Sequence, residues 1–313
     1  MHYINELREG ETLTEVYFCK VKNILKTKMG KSYYSLLLQD KTGTLDAKVW
    51  ELSNGIDNFE QMDYIYIQGQ VTSFQGSLQL NVNRIRKCQE GEYDPRDYMP
   101  VSKQDIGEMY QELLGFVGSV NEVHLHKLLE SFFVEDKEFV KRFKDHSAAK
   151  SVHHGFIGGL LEHTLGVAKM CDYMAGAYPI LNRDLLITSA IFHDIGKTQE
   201  LSEFPTNDYT DDGQLLGHIY MGTEMIGTKI RTISGFPIKL ASELKHCILA
   251  HHGELEYGSP KKPAIIEAVA LNFADNADAK LETMTEVLEG ASDSTEWLGY
   301  NRFFESNIRA TSK

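Results

Sequence analysis

Cysteine is scarce in this sequence, and its four residues lie far apart at positions 19, 88, 171 and 247. No C-x-x-C pair occurs, which excludes a zinc ribbon, and the spacing offers no disulfide framework. The sequence also lacks an apolar run of membrane-spanning length and, near its first residues, the apolar core of a signal peptide. We therefore expect a protein of the reducing cytoplasm that is not embedded in a membrane.

Basic residues are outnumbered, with 32 Lys+Arg against 45 Asp+Glu and a formal net charge of -13. That balance excludes a broad basic surface for duplex nucleic acid. The acidic excess is unevenly distributed along the chain. Residues 1–90 contain 11 basic and 11 acidic residues, so the whole excess falls on the residues after them. A polyanion would therefore meet the N-terminal part more readily.

Residues 14–87 alternate with period two and are rich in Val, Ile, Tyr, Phe and Leu. Turn signals at "KMGK", "DKTGT" and "FQGS" help to delimit five predicted strands, at about 14–26, 32–40, 44–50, 63–74 and 77–87. The insertion "ELSNGIDNFEQM" before the fourth strand is predicted to be a short helix or a loop. Five antiparallel strands with this one insertion predict a closed barrel of the OB type; another small barrel or an open meander is the alternative.

The pattern changes near residue 90, where "GEYDPRDYMPVS" contains turn residues and two prolines. Ser102 is predicted to cap the following helix, with Asp105 in its first turn. From residue 103 onward the apolar spacing is helical, without another strand. We expect two domains, an all-β barrel and an all-α bundle, divided as 1–90 (barrel), 91–150 (linker and helical connector), 151–290 (bundle) and 291–313 (tail). The aromatic residues of the tail are expected to pack on a neighbour; they are Trp297, Phe303 and Phe304.

Histidine is concentrated, since nine of the twelve residues lie between positions 146 and 252. They occur in "HHGFIGGLLEHTLGVA", "IFHDIGK", "LLGHIYMG" and "LAHHGE", and carboxylates follow in "NFADNADAK". Most lie in apolar helical runs, where an unsatisfied polar group is costly to bury. Imidazole with carboxylate is the ligand set for divalent manganese, iron, cobalt, nickel or zinc, and the absence of nearby cysteine argues against a structural zinc site.

A single histidine of this kind is better interpreted as a hydrogen-bonded core or surface residue, and His146 and His246 keep that interpretation. The set as a whole predicts a metal centre. Neighbouring side chains on a helix point about 100° apart, so His193 and Asp194 share an ion only if it lies between their two directions. Gly196 is predicted to cap this helix at its C-terminus and to leave that end open to substrate.

The order H, HD, H, HH, D over residues 150–290 resembles the HD-domain superfamily of metal-dependent phosphohydrolases, whose helical bundles hold one or two divalent ions. Together with the barrel, the motifs "GGLLEHT", "HDIGK" and "GQLLGH" resemble the YhaM family of bacterial 3′-to-5′ exoribonucleases. The resemblance implies a ligand set for two ions bridged by Asp194: His163, His193 and Asp275 at the first ion, and His218 and His251 at the second. His252 is the alternative to His251. Manganese is the expected metal, with cobalt, iron, nickel and zinc as alternatives.

Roles for the remaining polar residues follow from their chemistry. Asp194 suits a bridge because a carboxylate has two oxygens. Lys197 is predicted to contact a phosphate oxygen, or else to be a solvated helix-end lysine. His154 is predicted to protonate the leaving group or bind the phosphate, or else to form a surface pair with His153. Asp278, one helical turn after the last predicted ligand, orients the site from outside or faces water.

A second predicted site lies on the barrel, where alternation separates an inward from an outward set of side chains. The inward set is Tyr34, Leu36, Leu38, Leu45, Ala47 and Val49. The outward set is Phe18, Lys20, Lys22, Tyr33, Lys48 and Trp50. Exposed aromatics among lysines predict a platform for stacked single-stranded bases and their phosphates; an interdomain or subunit contact is the alternative.

These features predict a metal-dependent exonuclease that removes nucleotides from the 3′ end of single-stranded RNA, with DNA as a further substrate. The 3′-to-5′ direction of degradation and the preference for RNA are implied by the family resemblance alone. Two alternatives remain: an HD-type hydrolase of a small nucleotide or cyclic dinucleotide, and a nucleic-acid-binding protein whose metal is structural. The expected partner is single-stranded nucleic acid, and the resemblance and the aromatic tail favour a homo-oligomer.

Overall fold

The period-two segments form a closed five-stranded barrel in the computed structural model, which describes residues 2–52, 55–150, 154–289 and 296–312. The strands are β1 (Thr12–Lys26), β2 (Ser32–Asp40), β3 (Gly43–Val49), β4 (Tyr64–Phe74) and β5 (Ser77–Lys87). They pair in the order β1-β2-β3-β5-β4, β4 closes on β1, and the β3–β5 pairing is parallel. The predicted OB-type barrel is confirmed, and the open meander is wrong.

The inward-facing set predicted from alternation fills the barrel. Five of its members are buried, namely Leu36, Leu38, Leu45, Ala47 and Val49, and Tyr34 is half-buried against them. The described residues of the insertion before β4 contain no helix. Phe59 from this insertion is buried in the barrel core, so the loop contributes to the core that it adjoins.

Strand β1 departs from simple alternation at a bulge between Cys19 and Val21. Phe18 precedes this bulge, pairs with β2 on one side and β4 on the other, and packs its ring 5.3 Å from that of Tyr64. It is 2% exposed, and its neighbours Tyr17 and Cys19 are also buried. Phe18 keeps the predicted outward face, since it lies between the core residues Tyr17 and Cys19 and is not itself part of the barrel core. The ring of Tyr64 covers it, so its predicted exposure is wrong.

The helical periodicity after residue 105 forms helices of 4 to 24 residues. These are α1 (Ile106–Ser119), α2 (Val123–Phe133), α3 (Lys137–Asp145), α4 (Gly159–Ala177), α5 (Arg183–Phe192), α6 (Lys197–Glu200), α7 (Asp211–Ile230), α8 (Ile238–Ala250) and α9 (Ile266–Glu289). None of the described helices combines the length and the hydropathy that a membrane crossing requires. The predicted all-α part is confirmed through α9.

The cap of α1 differs from the prediction. The carboxylate of Asp105 accepts the Glu108 N–H at 2.8 Å, so Asp105 is the N-cap. The hydroxyl of Ser102 instead accepts the N–H of Gln104 and donates to Glu162. Ser102 therefore stabilises the loop before the helix, and the predicted cap is wrong by three residues.

One apolar core joins the early and late helices. Leu113 of α1 and Phe133 of α2 lie in the same buried cluster as Leu165 of α4, Phe192 of α5 and Leu271 of α9. The chain divides into two compact units, residues 1–101 with 204–206, and residues 102–203 with 207–313. The helices of the predicted connector thus contribute to the core of the second unit.

The tail contains a short hairpin, β6 (Trp297–Asn301) and β7 (Ser306–Arg309). The expectation of no further strand is therefore wrong. Its strands have five and four residues, and a bulge between Trp297 and Gly299 interrupts the alternation that would have indicated them. Trp297 and Phe303 are exposed in the chain and Phe304 is half-buried, so their packing on a neighbour stays a prediction.

Candidate metal centre and nucleic-acid face

The sequence-predicted ligands meet in the second unit because each lies on or just after a packed helix. Asp194 follows the end of α5 and is 1% exposed. Around it lie His163 of α4, His193 at the end of α5, His218 of α7, His251 at the end of α8, and Asp275 of α9. Every predicted ligand except Asp275 is within 3.6 Å of an Asp194 oxygen.

The first half of the cluster lies on the Oδ2 side of Asp194. His163 Nε2 is 3.5 Å and His193 Nε2 is 3.4 Å from that oxygen. Asp275 Oδ1 lies 3.2 Å from His163 Nε2 and 3.8 Å from His193 Nε2. Ligands bound about 2.0–2.2 Å from one ion lie roughly 3 to 4 Å from one another, depending on the angle at the ion, so the spacing of His163, His193 and Asp275 suits a shared cation. Asp194 Oδ2 lies at a similar distance from both histidines.

Two imidazole nitrogens of this half face each other at 3.1 Å, His163 Nε2 and His193 Nε2. The Nδ1 of His193 donates to the Ala190 carbonyl at 2.8 Å, and the Nδ1 of His163 donates to Asp278 at 2.7 Å. In the neutral rings both Nε2 atoms then carry lone pairs. Two facing lone pairs repel unless a proton or a cation lies between them, so this pair fits a cation site.

The second half lies on the Oδ1 side of Asp194. His218 Nε2 is 3.4 Å and His251 Nε2 is 3.6 Å from that oxygen. A nitrogen of His252 lies within 4.8 Å of a nitrogen of each of these two histidines. Both residues of the "HH" pair therefore lie at the second half, and the choice between His251 and His252 stays open.

Unsatisfied polar atoms support the same interpretation. Within the described parts of the chain, Asp194 Oδ1, His218 Nε2 and His251 Nε2 are buried and have no hydrogen-bond partner. Leaving a buried acceptor without a donor costs about 1–3 kcal/mol, more when it is charged. A divalent cation would satisfy all three acceptors at once, so the residues present fit the metal that the HD motif implies.

The electrostatics of the cluster favour positive charge. Burial raises the pKa of Asp194, but the charge of Lys197 is the largest of the contributions that outweigh burial and hold that pKa well below its usual range. Burial lowers the pKa of His163, but hydrogen bonds with Asp275 and Asp278 raise it to about 10. Carboxylates that attract a proton this strongly also attract a metal cation, which would compete for the same nitrogen.

Glycines allow the close approach of backbone that forms the second half. A Cβ on Gly196 would lie 2.0 Å from the His218 carbonyl oxygen and 2.6 Å from the Gly222 nitrogen. Gly196 has a right-handed conformation and lies just before α6, so its predicted role as a helix C-cap is wrong. Gly217 has φ 73°, which produces a kink within α7 immediately before His218.

We expect Gly196→Ala to destabilise the protein by about 1–3 kcal/mol, because the methyl group would overlap two backbone atoms of α7. Gly115→Ala is the matched control, since a Cβ there meets nothing within 4 Å in the middle of α1. The control should be neutral or stabilising by up to about 1 kcal/mol. Thermal unfolding of both variants checks the prediction; equal midpoints would contradict it.

Three other polar residues lie at the edge of the centre. Lys197 Nζ is 2.6 Å from Asp194 Oδ2, and its side chain is 15% exposed, so it is not a freely solvated lysine. His154 Nε2 is 3.9 Å from Asp278 Oδ2. His154 is 2% exposed, which makes the surface alternative wrong for this residue; His153 lies outside the described residues. Asp278 orients His163 rather than facing water.

Comparison with known proteins identifies the family. The HD domain family matches residues 160–280, the segment with His163, His193, Asp194, His218 and Asp275. The protein named 3'-5' exoribonuclease YhaM of Geobacillus sp. (strain WCH70) is 33% identical over 264 residues, which cover 83% of this chain and 80% of that protein. Its namesake of Listeria innocua is 32% identical over 284 residues, 90% of this chain and 89% of that protein.

The chain belongs to the YhaM family. The family that the sequence motifs resembled is thereby confirmed. A solved structure is also similar to the N-terminal region of this YhaM-family chain: the second OB-fold domain of replication protein A from Methanococcus maripaludis. That likeness has 21% identity and a TM-score of 0.23, and covers 29% of this chain and 96% of that domain.

Sequence reasoning missed one residue of the centre in this YhaM-family chain. Glu200 Oε1 accepts from His218 Nδ1 at 3.0 Å and from the His218 N–H at 2.9 Å. Nothing in "GKTQEL" distinguishes Glu200 from a solvated helix-end carboxylate. Its only local signal is a position one turn after Lys197, on the same face of α6.

The two histidines that were not predicted to be metal ligands have other partners. His146 contacts two carbonyl oxygens, and His246 accepts the Ala264 N–H.

The barrel presents part of the predicted outward set. Tyr33 and Trp50 stack with ring centroids 4.6 Å apart, and Trp50 is 45% exposed. The Trp50 indole N–H donates to Asn81, a residue that the sequence did not indicate. Lys48 contacts the Ser35 hydroxyl at 2.6 Å on the same strands. These side chains form one aromatic and polar strip across β2, β3 and β5.

The two lysines predicted on β1 differ in their surroundings. Lys20 is exposed. Lys22 is largely buried: its ammonium lies over the rings of Phe59 and Tyr34, 4.4 and 4.9 Å from their centroids, and donates to the Phe59 carbonyl. Its predicted outward orientation is therefore wrong, because the bulge after Cys19 places Lys22 opposite the inward-facing Leu36.

Proposed function

We propose that the protein is a metal-dependent 3′-to-5′ exonuclease that hydrolyses phosphodiester bonds of single-stranded RNA. The proposal is supported by membership of the YhaM family, whose curated members at 33% and 32% identity are named 3'-5' exoribonuclease. The observation that carries it is the ring of unsatisfied imidazole and carboxylate atoms around Asp194. Single-stranded DNA is proposed as a further substrate of the same site.

We propose that His163, His193, Asp194 and Asp275 hold one divalent ion, and that Asp194 bridges to a second one at His218 and His251. Manganese suits this mixture of imidazole and carboxylate, and cobalt, iron, nickel and zinc share the ligand chemistry. Bound ions would polarise the scissile phosphate and lower the pKa of a bound water. The two oxygens of Asp194 face different histidines, so the carboxylate could contact an ion on each side.

The protein's own groups then position the phosphate and compensate charge. Burial lowers the pKa of Lys197, but Asp194 outweighs burial and raises it, so the ammonium stays charged. A charged ammonium at the partly open edge of the site can contact a phosphate oxygen and offset negative charge that develops there. His154 is proposed to hold or protonate the leaving oxygen, from its place beside Asp278.

Replacing Lys197 by Gln should lower the turnover number for RNA by about 10- to 100-fold and leave RNA affinity nearly unchanged, because the lost charge acts on the reacting phosphate. Lys169→Gln is the matched control, because Lys169 lies on an exposed part of α4 and pairs with Glu112 of α1. Single-turnover rates and filter binding separate the two effects. Equal rates for both variants would remove Lys197 from the reaction.

The barrel is proposed to bind the strand. The Tyr33–Trp50 pair offers an aromatic platform for bases, Lys48 and exposed Lys20 offer charge for phosphates, and Asn81 offers an amide. Residues 1–90 are electrically neutral within an acidic chain, so a polyanion meets less repulsion there. A domain of this kind suits a long strand more than a mononucleotide.

A substrate panel tests the proposal against its alternatives. Manganese-loaded protein would be given a linear single-stranded RNA, a DNA of the same sequence, a cyclic dinucleotide and a small chromogenic diester. We expect the RNA to be hydrolysed with the highest kcat/KM. Faster hydrolysis of the cyclic dinucleotide would establish the small-nucleotide hydrolase, and RNA binding without hydrolysis of any substrate would establish a structural metal.

A further inference from the structure

Each half of the candidate centre contains one histidine that is oriented by a backbone carbonyl. The Nδ1 of His193 donates to the Ala190 carbonyl at 2.8 Å in the first half. The Nδ1 of His251 donates to the Ile248 carbonyl at 2.7 Å in the second half. Both carbonyls lie three residues earlier on the same helix, so the helix itself sets these two ring orientations.

The other histidine of each half is oriented by a carboxylate from a different element. Asp278 of α9 accepts from His163 Nδ1 at 2.7 Å. Glu200 of α6 accepts from His218 Nδ1 at 3.0 Å, and also from the His218 N–H at 2.9 Å. Each half therefore combines a carbonyl-oriented and a carboxylate-oriented imidazole.

Both carboxylates lie where packing fixes their positions. A Cβ on Gly166 of α4 would lie 2.1 Å from Asp278 Oδ1, so the carboxylate rests directly against a residue without a side chain. A Cβ on Gly213 of α7 would lie 2.1 Å from the backbone oxygen of Glu200. The Asp278 and Glu200 side chains are 15% and 12% exposed, so little freedom remains for either.

The chemical difference between the two kinds of partner is charge. A carbonyl and a carboxylate both hold the Nδ1 proton and point Nε2 at the ion, but the carboxylate's charge also makes the imidazole more basic and a stronger ligand. We propose that Asp278 and Glu200 are positioning residues that set the ion affinities of the two halves separately, Asp278 through His163 and Glu200 through His218. This inference rests on the proposed metal centre.

Single-site backgrounds make the inference testable. His218→Ala leaves the first half of the centre, and His163→Ala leaves the second half. Metal-free protein of each background would be titrated with Mn²⁺ alone, and loss of the six-line EPR signal of the free ion would report binding. Thermal unfolding in EDTA would confirm that every variant is folded.

In the His218→Ala background, Asp278→Asn should weaken Mn²⁺ binding by about 10- to 100-fold, and Glu200→Gln should change it by no more than about two-fold. In the His163→Ala background, Glu200→Gln should weaken Mn²⁺ binding by the larger factor and Asp278→Asn should change it little. The amides keep an acceptor oxygen and remove only the charge, so orientation is preserved. Gly166→Ala offers an independent route, because it displaces Asp278 without altering a ligand and should reproduce the effect of Asp278→Asn.

Two results would overturn the inference, and they have different meanings. In the first result, both backgrounds bind Mn²⁺ but neither substitution weakens binding in one background more than in the other. The carboxylates then do not set the ion affinities of the two halves separately, and the proposed function is unaffected. If the unsubstituted protein binds no Mn²⁺ at all, both the inference and the proposed metal centre fail. Asp172→Asn, which removes an exposed carboxylate of α4 that pairs with Arg183, should match its background in every titration.

Discussion

Asp194→Asn is expected to lower RNA hydrolysis by on the order of 10³-fold or more, with strand binding retained. An amide has one acceptor oxygen and no charge, so it could not hold a cation on each side as the two carboxylate oxygens would. His193 and His251 would keep their backbone partners, and the rings would remain in place without a bridge. Single-turnover rates on RNA, bound metal per chain and filter binding would be measured on the same preparation.

Loss of Asp194 also removes the partner of buried Lys197, so a folding defect must be separated from a catalytic one. Breaking a buried ion pair from one side costs about 3–5 kcal/mol, whereas neutralising both partners costs much less. Asp194→Asn with Lys197→Met should therefore recover thermal stability and stay inactive. Hydrolysis within about ten-fold of the unsubstituted rate by either folded variant would show that the metal assignment is wrong.

Replacing both Tyr33 and Trp50 by Ala should weaken binding of a long single-stranded RNA by about 5- to 150-fold, which corresponds to about 1–3 kcal/mol of base–aromatic stacking. The two rings stack on each other, so they act as one platform and their single effects should not add. Cleavage of a small diester should be unchanged, because these residues belong to the barrel and not to the His/Asp centre.

Tyr173→Ala is the matched control for the aromatic pair, since Tyr173 is 78% exposed on α4 of the helical unit. It should bind and cleave RNA like the unsubstituted protein. Equal losses on the long RNA and on the small diester would contradict the proposed division of labour. Unchanged RNA affinity in the double variant would place the strand elsewhere, and the aromatic pair would then suit a protein contact.

The features that sequence predicted best are those with a repeating local signal. Alternation in "SYYSLLLQD" and "GTLDAKV" gave the buried faces of β2 and β3 because side chains on a strand change face at each residue. The candidate ligands were found for another reason: histidines in apolar helical runs are rare, and their order resembled a known family. Neither signal depends on which distant residues are in contact.

The features that sequence did not predict depend on contacts between segments or on a single irregular residue. Lys22 was misplaced because a bulge between Cys19 and Val21 changes the face of β1 after that point. Gly196 is required by the carbonyl oxygen of His218, 22 positions away in the chain. Glu200 lies 18 residues from His218, the histidine that it orients. No local pattern indicates such partners, so only a folded chain reveals them.

The most direct test of the proposed function is a time course with a 5′-labelled single-stranded RNA and metal-free protein, resolved on a sequencing gel. Manganese, magnesium or zinc would be added back in parallel, with Asp194→Asn as the inactive control. A metal-dependent 3′-to-5′ exonuclease should produce a ladder that shortens stepwise from the 3′ end only when a divalent ion is added, and this is the expected result. RNA that stays intact with every ion, or that shortens equally in EDTA, would contradict it.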